Sequence, residues 1–159
     1  MRGVWRGVVL GLLLGACSEK PAKEAAPDKT AVALAARDEA CPGGTVKGCV
    51  DGAAEAERKG ELPRAVELYT RGCDAGVARA CTLLGTLVWQ GRGASADPQR
   101  AYSLYAKACE AGDSAGCFSA AICHRTGACA EKNDAQATAL LQKACDGGDS
   151  RACANLKAR

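Results

Sequence analysis

The chain has 159 residues, 48% of them hydrophobic but only 4% aromatic, with 21 Lys+Arg against 18 Asp+Glu for a formal net charge of +3. Two of those cations, Arg2 and Arg6, sit at the extreme amino terminus, so the remainder is close to neutral at about +1. A near-neutral chain without Lys/Arg clusters interleaved with aromatics excludes the electrostatic footprint of a nucleic-acid binder.

In chain order, Arg2 and Arg6 form a basic n-region, Val8 to Leu14 an apolar h-region, and Leu14-Gly15-Ala16-Cys17 a processing site. This is the pattern of an export signal over residues 1–16, with an apolar stretch too short for a stable membrane-spanning helix. Small residues directly before Cys17 resemble a bacterial lipobox, which implies that Cys17 is acylated and becomes the mature amino terminus. An ordinary cleavable signal with an incidental cysteine is the plainer alternative. Ser18 rather than Asp after Cys17 favours the outer membrane in bacteria with two membranes. Residues 17–30, beyond the lipid-bearing cysteine, are rich in Ala, Pro and charge and lack large apolar side chains, so they are expected to act as a flexible tether.

From residue 31 to 159 a repeat grammar takes over. Cys41/Cys49, Cys73/Cys81, Cys109/Cys117 and Cys145/Cys153 each enclose seven residues, and successive pairs begin 32, 36 and 36 residues apart. A repeat of that length is one supersecondary unit that cannot bury its apolar face alone, so the units must stack. Ala65/Leu68/Tyr69, Ala101/Leu104/Tyr105 and Ala137/Leu140/Leu141 each precede a cysteine by the same interval and define one face of a helix. Gly76, Gly112 and Gly148 follow as end signals, while Asp113 and Asp149 are placed to cap the next helix. The first cysteine of each pair thus falls in the last turn of one helix and the second in the opening turns of its antiparallel neighbour, within disulfide reach.

Cys17 aside, ten of the eleven cysteines fall into pairs, with Cys123 and Cys129 as a fifth. Such density in an exported chain reads as a disulfide framework formed in an oxidising compartment. Structural zinc is the competing use, but it takes cysteines two to four residues apart, and no Cys-x-x-Cys occurs.

The segment Ala80-Cys81-x-x-Leu84-Gly85-x-Leu87, continuing to Gly91-x-Gly93, then Asp97 and Ala101-x-x-Leu104-Tyr105-x-Lys107-Ala108-Cys109, resembles the Sel1-like repeat in its cysteine-rich bacterial subclass. The resemblance implies an all-α, right-handed solenoid of antiparallel helix pairs, similar to tetratricopeptide repeats, with about seven or eight short helices. Departures are local. The unit between Cys49 and Cys73 is four residues shorter and turns at Lys59-Gly60-Glu61-Leu62, Ala121 stands where Gly85 does, and Cys123 and Cys129 replace Leu87 and Gly93.

Members of this subclass are described as penicillin-binding or weakly β-lactamase-like, so the resemblance also implies a β-lactam-binding or β-lactam-hydrolysing alternative. The residues offer no catalytic set for it: none of the six serines lies in Ser-x-x-Lys, and Ser-Asp-Asn, Lys-Thr-Gly, Gly-x-Ser-x-Gly and His-Glu-x-x-His are absent. His124, the single histidine, aligns with Val88 and is expected in the core rather than as a base. Thiol–disulfide exchange would call for a low-pKa Cys-x-x-Cys. No cofactor or metal is implied.

What remains is recognition. On the helix around 77–91, the face opposite Leu84 and Val88 is expected to carry Arg79, Thr82, Thr86, Trp89 and Gln90, with Phe118, Ile122 and Arg125 among the counterparts one repeat later. Trp89, Phe118 and Ile122 are candidate anchors for a protein or peptide ligand on a concave surface, or else packing residues against the neighbouring helix pair. The expectation is therefore an interaction module, lipid-anchored at the outer membrane of a bacterial cell envelope and facing the periplasm.

Overall fold

A computed structural model describes residue 41 and residues 45–158. The expected export signal, Cys17, the tether and the start of the repeat region at residues 31–40 lie outside the described residues. Among those described, the chain forms seven helices and no strand: α1 Val46–Arg58, α2 Leu62–Asp74, α3 Ala78–Gln90, α4 Pro98–Glu110, α5 Ser114–Thr126, α6 Asp134–Asp146 and α7 Ser150–Lys157.

The helix ends follow from side chains named in the sequence. Asp97, Asn133, Asp113 and Asp149 each cap a helix by accepting a backbone N–H from its first turn, as Thr45 does for α1. Pro98 starts α4 where no amide donor is required. At the other end, Gly76, Gly112 and Gly148 adopt φ near +90°, a left-handed conformation that lets the chain reverse into the next helix within four residues.

α1 packs on α2, α3 on α4 and α5 on α6 as antiparallel hairpins, and each hairpin contacts the next through α2·α3, α4·α5 and α6·α7, with a further lateral contact between α3 and α5. Contacts therefore run between neighbours along the chain, the definition of a solenoid. Five disulfides join Cys41–Cys49, Cys73–Cys81, Cys109–Cys117, Cys123–Cys129 and Cys145–Cys153, with Cα atoms 4.4 to 4.9 Å apart. Three of them, from Cys73–Cys81 onward at the recurring spacing, staple the last turn of one helix to the first turns of the next. Closing a loop of that length restricts the unfolded chain by roughly 2–3 kcal/mol in the chain-entropy model.

The core between staples is built of small residues around a few large ones. Ala53, Ala65, Ala80, Ala101 and Ala108 are fully buried beside Tyr69, Leu84, Leu87 and Val88. A second cluster of Cys109, Cys117, Ala121, Leu141, Ala144 and Ala152 continues it toward α7. One difference between successive units has a steric cause. A Cβ at Gly85 would stand 2.7 Å from Cε1 of Tyr105, so the ring occupies the space beside the α3 backbone that a side chain would need. One repeat later the residues at these positions are Ala121 and Leu141, both fully buried in one cluster, an aliphatic side chain standing where the ring does.

Gly85→Ala should therefore destabilise the fold by about 1–3 kcal/mol through overpacking. Tyr105→Leu in the same chain should recover most of the loss, because it recreates the Ala/Leu combination of the next unit. Denaturant titration of the two single variants and the double variant measures the coupling, and strict additivity would contradict the steric account.

Candidate functional site

The sideways contact between α3 and α5 leaves a recess of about 210 Å³ lined by Trp89, Tyr105, Phe118, Ser119, Ile122, Cys123, Thr126, Ala128 and Cys129. Trp89, on the last turn of α3, is 39% exposed and is the one large hydrophobic side chain in the exposed class among the described residues. Phe118, Ser119, Ile122 and Thr126 recur at three- and four-residue intervals, which brings them to one edge of α5. Tyr105 reaches the recess from α4. The Cys123–Cys129 bridge pins the end of α5 to the loop that follows and forms part of the wall.

The sequence-selected residues divide in space. Trp89, Phe118 and Ile122 converge on this recess. Arg79 and Gln90 are exposed on α3 outside it, Thr86 is half-buried, and Arg125 turns toward α7, donating to Asn155 Oδ1 at 2.5 Å. Thr82 is a correction: expected on the exposed face, it is 5% exposed and donates its hydroxyl to Asp113, the residue that caps α5. The face opposite the core is not wholly open, because α3 and α5 also pack edge to edge. Thr82 lies on that edge, one contact below the recess. Phe118, at the same register one repeat on, likewise packs partly onto the second core cluster, and the Arg151 guanidinium stands 4.4 Å above its ring.

The recess is poor in reactive groups. Ser119 Oγ donates to the Ala115 carbonyl at 2.9 Å and Thr126 Oγ1 to the Ile122 carbonyl at 2.8 Å, so both hydroxyl protons are committed to backbone. Burial pushes the Tyr105 phenol above its ordinary value of 10.0, against the opposing effect of its contact with Thr86, which keeps it a neutral group. No histidine or carboxylate lines the space, and acyl transfer needs a nucleophile and a base within hydrogen-bond reach. His124 lies in the core as expected, 7% exposed, but with polar partners that the sequence did not announce. Its Nδ1 meets the Glu131 carbonyl at 2.8 Å and its Nε2 the Tyr102 hydroxyl at 2.8 Å. Because a carbonyl only accepts, Nδ1 carries the proton, and both ring nitrogens are occupied. Among the described residues no group of three or more His, Cys, Asp or Glu is arranged to hold a metal ion.

A solenoid of short stapled hairpins with an apolar recess on its edge defines the class: a disulfide-stapled helical-repeat protein. The particular family follows from comparison. The Sel1 repeat model matches residues 58–77, 78–113 and 114–149, more than half of the chain, and the chain belongs to the Sel1 repeat family. No curated protein is significantly similar to it in sequence.

Solved structures of the same fold include a Sel1 repeat protein from Oxalobacter formigenes, 20% identical with a TM-score of 0.68, covering 83% of this chain and all of that one. Cysteine-rich protein B from Helicobacter pylori is 25% identical with a TM-score of 0.61, covering 79% of this chain and 93% of the other. A protective antigen of uropathogenic Escherichia coli strains, displaying an SLR fold, is 24% identical with a TM-score of 0.69 over 87% of this chain, which spans only 30% of the antigen's length.

Beyond the recess, Asp149 holds the start of α7. It accepts from the backbone of Arg151 and Ala152 and from the Arg151 guanidinium, and the Arg151 hydrogen bond, more than burial opposes it, holds its carboxyl below the ordinary 3.8. A carboxylate whose pKa is lowered on folding stabilises fully above its unfolded value and loses that contribution as the pH falls through the folded value. Asp149→Ala should then cost about 1 kcal/mol near neutral pH. The difference from the native chain should shrink below about pH 4 as the carboxylate is protonated. Urea titrations at the two pH values check this, and a pH-independent difference would show that the cap acts only through shape.

Proposed function

We propose that this chain is an interaction module which takes a single large apolar side chain of a protein or peptide segment into the recess between α3 and α5, and that it does so tethered to a bacterial envelope membrane through Cys17, at the outer membrane and facing the periplasm. The observation that carries the binding reading is Trp89, left exposed while the other large apolar side chains among the described residues are at least partly buried, at the mouth of an apolar recess. The volume supports one side chain rather than a free metabolite. A cavity of about 150 Å³ accommodates benzene, whereas sites for drug-sized ligands run to about 300–1,000 Å³. The tether and location rest on the export-signal pattern and the Leu14-Gly15-Ala16-Cys17 segment, and disulfide formation at five places fits an oxidising space. A β-lactam hydrolase finds no supporting group in the recess.

If the recess binds, Trp89→Ala should weaken partner capture by about 30-fold or more, the scale of a central anchor residue. Helicity should be unchanged, because Trp89 is not part of the buried core. Capture from envelope extracts by native and variant protein, scored on partners identified by mass spectrometry, tests it. Retention of the same partners at equal affinity would remove the recess from the function.

The tether is tested separately. Intact mass should show acyl groups on Cys17 and fractionation should place the protein with membranes, while Cys17→Ser should release it. A mature amino terminus elsewhere than Cys17 would refute lipid attachment without touching the binding reading.

A further inference from the structure

The recess lies on a side of the solenoid formed by α3, α5 and α7, and these three helices contain no Asp or Glu at all. Their neighbours α2, α4 and α6 hold Glu67, Asp74, Glu110, Asp134 and Asp146. The charge on these three helices is therefore of one sign, and the acids of α1 are one hairpin away, with Glu55 paired to Arg58 and Glu57 to Arg92. Arg125 belongs to α5 between Ile122 and Thr126, both lining residues, and its guanidinium bonds only the neutral amide oxygen of Asn155. Arg151 stands over Phe118, a wall of the recess, with its guanidinium side mostly exposed while its countercharge, Asp149, is buried beneath it. Arg79 is exposed on α3 and makes no ion pair among the described residues. The acids nearest to this side are already committed: Asp113 to Thr82 and the Gly116 amide, Asp149 to α7 and Arg151.

We infer that the bound segment is acidic: a peptide that seats one aromatic or large aliphatic side chain in the recess and sets Asp or Glu against Arg125 and Arg151. This rests on the recess being the binding site, and it names the chemistry of what binds there. Like-charge contact would deter a basic segment, and complementary charge would speed encounter and fix orientation. An anionic bilayer offers the same charge, but its acyl chains are far longer than a recess that holds one side chain, so a peptide fits the combined observations better.

The test uses the full oxidised chain and three dye-labelled peptides, each centred on one Phe and flanked by Glu, by Ser or by Lys, read by fluorescence anisotropy. The Glu-flanked peptide should bind about tenfold more tightly than the Ser-flanked one, equivalent to about 1.4 kcal/mol. The Lys-flanked peptide should be weakest, and the preference should collapse as salt is raised to about 0.5 M, where exposed charges are screened. The double variant Arg125→Gln/Arg151→Gln should abolish the difference between the Glu and Ser peptides. Because Arg151 also supports α7, Arg125→Gln alone serves as the second variant. Its guanidinium bonds only the Asn155 amide, so the variant should retain native helicity while weakening the Glu-flanked peptide several-fold.

Equal affinity for the Glu and Ser peptides, or a preference unmoved by both variants, overturns the acidic specificity and leaves the recess reading standing. Failure of all three peptides to bind, with adsorption to phosphatidylglycerol vesicles that survives Trp89→Ala, overturns both.

Discussion

Six of the seven helices among the described residues are thirteen residues long, a length at which an isolated helix is marginal in water. The rest of the molecule depends on the way this shortness is offset. Each hairpin is too small to enclose a core, and its buried positions are mostly alanine and cysteine, small side chains that contribute little apolar area per residue. Stability must come from stacking and from covalent ties at the reversals, where Cys73–Cys81, Cys109–Cys117 and Cys145–Cys153 hold one helix end to the next beginning. Small core residues in turn allow helices to approach closely enough for Tyr105 to lie on the bare backbone at Gly85. Staple, alanine core and glycine contact are thus one solution to one problem.

The recess arises from the same packing. The edges of α3 and α5 meet where Thr82 donates to Asp113, and Trp89 of α3 and Ile122 of α5 line the gap between the two helices. The bridge between Cys123 and Cys129 closes what would be the open end. In the preceding unit these positions are Leu87 and Gly93, and Gly93 lies so near the Leu62 carbonyl that a Cβ there would stand 2.5 Å from its oxygen. The third unit makes its link by a covalent bond, and both cysteines are among the residues that line the recess.

Periodicity made most of the fold legible. The cysteine intervals placed the helix reversals, the Ala/Leu/aromatic triplets identified the buried stripes, and the caps Asp113 and Asp149 followed from their position after glycine. The apolar lining of the recess, Trp89, Phe118 and Ile122, was legible as large apolar residues off the core stripe. Two things were not. Thr82 was assigned to open surface because a helical projection recognises one buried face, whereas a stacked helix buries an edge as well. The Tyr102–His124–Glu131 chain joins residues on different elements, and nothing in local spacing distinguishes such a polar contact from an ordinary apolar core position. Lateral contacts depend on how one repeat is rotated on the next, which single-residue patterns do not encode.

Among the described residues every cross-link closes between cysteines six or eight positions apart. Eight cysteines already admit 105 pairings, and ten admit more, yet none of the ten described cysteines waits for a distant partner. A chain delivered gradually, amino terminus first, into an oxidising space can complete one bridge before the next pair arrives. Wrong pairings are then avoided by order of appearance as much as by relative stability, and the demand on a disulfide isomerase is correspondingly small.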